Sequence, residues 1–152
     1  MRVLAAILAP AALIAASAAN AAETATVDDV VNSAAMCMLS AGKEGADKSR
    51  FQNEAWTPTE DGFRHVSAPI SIEFPSDKDG VTRICVVRAS LADKDEQKKL
   101  AKKLTDTLRT KPLKQSDSQI WMVSTASGTR GVQFYTDKTS DQPQVRLIGA
   151  AF

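Results

Sequence analysis

GFRHVSAPISIEFPSDKDGVTRICVVR, residues 62–88, is the stretch on which the fold turns. Apolar side chains recur at every second position in Phe63 to Val66, then at Ile70, Ile72 and Phe74, and again between Val81 and Arg88. A period of two is the pattern of a pleated strand with two unlike faces. Between the second and third runs lies Pro75 to Gly80, read as Pro-Ser-Asp-Lys-Asp-Gly. Its residues fix a negative φ or accept a positive one, so the flanking strands are expected to form an antiparallel hairpin.

Outward from this stretch the period changes to that of a helix. Val27, Val30, Val31, Ala34, Met38 and Ala41 are spaced for one apolar stripe, and predict a helix over 26–41. Thr26 is placed to cap it, Asp28 and Asp29 suit the positive end of its dipole, and Gly42 offers a left-handed stop. A shorter helix is expected over 47–55, before Pro58. Downstream, Leu100, Ala101, Leu104 and Leu108 mark a second long helix over 93–109, with Asp93 and Glu96 spaced as a capping box. Three more strands are expected over 119–126, 131–136 and 144–150, separated by turns at 127–131 and 138–143. The fold class expected is α+β, a single domain with a duplicated αβββ layout. Runs of hairpins require an antiparallel sheet, and both long helices are expected on one of its faces.

The first 21 residues read as a cleaved secretory signal peptide, leaving a single α+β domain over 22–152. Arg2 precedes an apolar run from Val3 to Ala16, and Ala19-Asn20-Ala21 supplies the small residues of a cleavage site. The run is Ala-rich and contains Pro10, unlike the roughly 20 strongly apolar residues of a stable span. No stable membrane anchor is therefore expected, and the product is expected to be periplasmic or secreted. The chain has 19 basic and 18 acidic residues, and loss of Arg2 with the leader makes them equal. A neutral domain gives no basis for a nucleic-acid partner. Cys37 and Cys85 are the only cysteines, and in an oxidising compartment they are expected to form a disulfide.

No local motif announces catalysis. His65 is the only histidine, and no Gly-x-Ser-x-Gly elbow accompanies it. Asp77 and Asp79 fit turn chemistry better than a calcium loop, whose other ligands are missing. Glu54, Glu60 and Glu73 are candidate glycosidase carboxylates only in being acidic. No metal site and no cofactor are expected.

Two surfaces stand out instead. Lys98, Lys99, Lys102 and Lys103 form a basic stripe on the second helix, read as a solvated face laced by Asp95, Glu96 and Asp106. The other surface follows from strand parity. If Cys85 bonds to Cys37 it points at the helices, and Ile120, Met122, Val132, Phe134, Val145 and Leu147 suit the same face. Trp121, Val123, Tyr135 and Ile148 then fall on the open face beside Gln133 and Arg146. That composition suits binding of an unidentified protein partner, or of a second copy to give a homodimer. The function expected is that of an exported, non-enzymatic binding, adaptor or inhibitor protein of the cell envelope. The alternative is a small secreted hydrolase or carbohydrate-active enzyme with a carboxylate-based site.

Overall fold

A computed structural model describes residues 23–152. The expected leader and its expected cleavage point lie outside them. The described chain is a single α+β domain: helix α1 (Val27–Ser40), a 3-10 turn (Lys48–Phe51), strands β1 (Trp56–Pro58), β2 (Gly62–His65), β3 (Ile70–Glu73) and β4 (Cys85–Ser90), helix α2 (Lys94–Leu108), and strands β5 (Leu113–Lys114), β6 (Ser118–Thr125), β7 (Gly128–Tyr135) and β8 (Gln144–Ala151). All eight strands join one antiparallel sheet in the order β1-β2-β3-β4-β8-β7-β6-β5. Each half is a helix followed by a four-stranded meander, and the halves meet where β4 pairs with β8. The duplication expected from the sequence is present, with one short strand more in each half.

Both helices pack on one face. The buried side of α1, with Val30, Val31, Ala34, Cys37 and Met38, lies over β4, β8 and β7. Helix α2 sits beside α1 and covers β6 with Leu100 and Leu104. Thr26 caps α1 by accepting from the Asp29 amide at 3.1 Å, and Asp93 caps α2 by accepting from the Asp95 and Glu96 amides, each at 2.8 Å. Only one arm of the expected capping box is used, because the Glu96 carboxylate accepts from Lys99. The stop expected at Gly42 also takes another form. Helix α1 ends on an extended Ala41, and Gly42 is needed because a Cβ there would collide with the Gly45 carbonyl.

The Cys37–Cys85 disulfide fastens α1 to β4, with the two Cα atoms 5.3 Å apart. Opposite Cys85 on β8 stands Gly149, where a Cβ would come within 2.7 Å of the Cys37 backbone. Helix α1 thus crosses the seam between the halves at van der Waals contact, and the missing side chain permits the approach. The segment expected as a short helix over 47–55 forms only one 3-10 turn, capped by Asp47. It delivers Phe51 onto the covered face of the first half, with its ring centroid 5.0 Å from Trp56, 5.7 Å from Phe63 and 5.8 Å from Phe74.

Candidate functional site

The registers fix which side chains leave the sheet on the uncovered side. From Cys85, Val87 and Ala89 on the helix side, pairing carries the covered face through Gly149, Leu147 and Val145 on β8 to Val132 and Phe134 on β7. One strand further it reaches Trp121, directly opposite Val132. Tyr135, Arg146 and Ile148 stand on the open face, as the parity argument expects. Trp121 and Val123 do not.

The β6 assignment is therefore corrected by one residue. Trp121 is 0% exposed and donates its indole N–H to Thr105 Oγ1 of α2 at 3.0 Å, while Met122 is 38% exposed on the opposite side. The cause lies in the hairpin between β6 and β7. The observed two-residue connection, Ala126 and Ser127, sets Thr125 against Gly128 and thereby Trp121 against Val132 on the covered face. A shift of one exchanges the faces of a strand. Since β6 is apolar on both parities, its composition could not reveal the exchange. Ile120 and Met122 are the open-face residues that the sequence reading placed in the core.

On the open face the registers align two rows running across the strands. One row holds Arg64, Ser71, Arg88, Arg146 and Tyr135 on β2, β3, β4, β8 and β7. The other, two residues along, holds Glu73, Val86, Ile148, Gln133, Ile120 and Leu113. Arg88 and Arg146 face one another across the seam. Arg88 is paired with Glu73 at 2.8 Å, and the Arg146 guanidinium lies 4.2 Å from the centre of the Tyr135 ring. Leu113 is 61% exposed, and the ring of Phe152, 52% exposed, lies over Gly131 beside Met122. Of the five exposed large apolar side chains among the described residues, these three share the open face at its β5 to β7 end. No local motif could have exposed the arginine row, since Arg64, Arg88 and Arg146 converge only through strand pairing.

The remaining candidates have ordinary partners. In the lysine stripe Lys98 bonds to Asp95, Lys99 to Glu96, Lys102 to Asp106 and Lys103 to Asp28 of α1, at 2.6 to 3.0 Å. His65 Nδ1 accepts from the Ser67 and Ala68 amides at 3.2 and 3.1 Å, tying down the turn after β2. Asp77 and Asp79 both accept from Arg83, whose Nε–H donates to the Lys43 carbonyl at 2.8 Å. Those hydrogen bonds from Arg83 hold the Asp79 carboxyl down at about 2. Glu54 and Glu60 are exposed on either side of β1, and Glu73 is bonded to Arg88 across the sheet. Among the described residues no group of three or more His, Cys, Asp or Glu side chains is arranged to hold a metal ion.

No family model, curated protein or solved structure matches this chain.

Proposed function

We infer that this is an exported, non-enzymatic binding protein, an adaptor or inhibitor of the cell envelope, and that the open face of its sheet is the recognition surface. The observation that carries the reading is that exposed Leu113, Met122 and Phe152 share the face away from both helices, the same face that carries the Arg146–Tyr135 stack further along the strands. A solvated sheet face ordinarily alternates to polar residues. Apolar side chains bordered by arginine and tyrosine are instead the make-up of a surface that closes on a protein. Export is supported by the leader pattern and by the disulfide, which suits an oxidising compartment. No helix among the described residues is long and apolar enough to cross a membrane.

Site-specific photocrosslinking tests the reading. A photoreactive residue replacing Met122 is expected to give a discrete adduct in intact envelopes, whereas one replacing Lys98 on the outer side of α2 gives none. Equal labelling from both positions, or none from residue 122, would remove the open face as the recognition surface.

A further inference from the structure

We propose that the occupant of the open face is an acidic, amphipathic helix of a protein partner, whose carboxylates lie along Arg64, Arg88 and Arg146. The proposal rests on the open face being the recognition surface, and adds the chemistry of what it takes. Among the strand residues of that face, three arginines stand against one carboxylate, Glu73. Arg64 is exposed and has no carboxylate partner among the described residues. Like charges directly opposite across an antiparallel pair destabilise the sheet, and Arg88 and Arg146 are such a pair. Glu73 answers Arg88 alone, and a further carboxylate set over the seam would answer Arg146 as well.

Spacing favours a helix. Strands lie about 4.8 Å apart, which puts Arg88 and Arg146 about 5 Å from each other and Arg64 about 10 Å further out. A helix laid across the strands rises about 10.5 Å between positions i and i+7 and about 6 Å between i+7 and i+11, and those three positions lie on one side of it. Its neighbouring stripe then meets the second row at the half-buried Ile148 and Ile120, Val86 of that row being already buried. A polyanionic sugar or a phosphate would meet the arginines and leave Ile148 and Ile120 wet. A second copy stacked face to face would set like charge against like.

The probes are three synthetic peptides of about 18 residues, long enough as helices to cross most of the strands. They share a leucine stripe and carry Glu, Gln or Lys at positions i, i+7 and i+11. Titrated into the purified protein by isothermal calorimetry, the Glu peptide is expected to bind about tenfold more tightly than the Gln peptide, more weakly as salt rises, and the Lys peptide least. Arg88→Gln with Arg146→Gln should abolish the Glu preference without lowering the melting temperature. Glu73→Gln, which frees Arg88, should strengthen Glu-peptide binding. Equal binding of the three peptides, a preference for Lys, no binding of any, or a Glu preference that survives the double substitution would overturn the proposal. Met122→Asp separates the two readings. If it abolishes peptide binding that shows no Glu preference, the open face stands as the docking surface and the acidic partner is wrong; if neither it nor the arginine substitutions change binding, both fall. A concentration-dependent dimer lost on Met122→Asp would assign the face to a second copy instead.

Discussion

Trp121 and Thr105 are joined across the sheet-helix interface: the indole N–H donates to the threonine hydroxyl at 3.0 Å, and that hydroxyl in turn donates to the Ala101 carbonyl. The chain of bonds satisfies the polar edge of a fully buried ring and fixes α2 over β6. Trp121→Ala should lose about 3 to 5 kcal/mol of stability, and Thr105→Val, which strands the indole N–H, about 1 to 2 kcal/mol. Met122→Ala should leave the thermal melt nearly unchanged. A Met122 variant that melts earlier than the Trp121 variant would contradict the β6 register.

The contact of α1 with the β4–β8 seam depends on two residues facing one another, Cys85 and Gly149. Alkylation without reductant, followed by intact-mass measurement, should find no reactive thiol in the purified protein. Reduction should cost about 4 kcal/mol on the chain-entropy account for two cysteines at a sequence separation of 48. Gly149→Ala should destabilise the oxidised protein, because its Cβ meets backbone atoms of Cys37 and Met38 that a side-chain rotation cannot move. Paired melts of the wild type and this variant, each with and without reductant, would show whether the clash and the bridge act at the same place.

Two loops are held by carboxylates that resist protonation. Asp137 is held down at about 2 chiefly by the Thr139 and Gln144 amides it accepts from, and Asp79 at about 2 chiefly by Arg83. In the unfolded chain both should titrate near the ordinary value of 3.8. Protons then bind the unfolded state first, so the stabilisation is complete above about pH 4 and is lost as pH falls through about 2. Asp137→Asn and Asp79→Asn should each flatten the fall in melting temperature between pH 4 and 2, measured by circular dichroism. An unchanged acid limb in both variants would count against these pairings.

Replacing Lys98, Lys102 and Lys103 together by Gln should shift the melting temperature by less than about 5 °C, since exposed pairs contribute little. A larger loss would single out Lys103, which alone of the three reaches the other helix, through Asp28. Restoring Lys103 by itself would then recover most of the change.

Much of this architecture is legible without coordinates, because its long elements carry clean periods. The stripe from Val30 to Met38 and the alternation of Ile70, Ile72 and Phe74 each fix a face as well as an element. β1 and β5, with three and two residues, are too short to show a period, and they exist because a neighbouring strand offers them an edge. The site was harder to read. Ile120, Trp121, Met122 and Val123 form an unbroken apolar run, so only the length of the β6–β7 connection decides which two are buried. The reciprocal bonds between the Gln97 side chain and the Asp137 backbone, both 2.9 Å, belong to the same class. They join residues 40 positions apart through a glutamine that nothing local distinguishes from a surface residue.

The pairing of β4 with β8 places the final strand of the described chain at the centre of the sheet rather than at its rim. Deletion of residues 144–151 would strip β4 and β7 of a partner at once and open two long edges where the native sheet ends in strands of three and two residues. The disulfide offers no protection against this, because it ties together two elements of the first half. A chain whose first half has folded can therefore hold its disulfide and still present β4 as an unpaired edge until β8 pairs with it, and such an edge is an invitation to wrong partners. Quality control of this protein would turn on β8: a nick or deletion near residue 144 should produce an aggregating species, while the loss of a few residues from the edge strands would be tolerated.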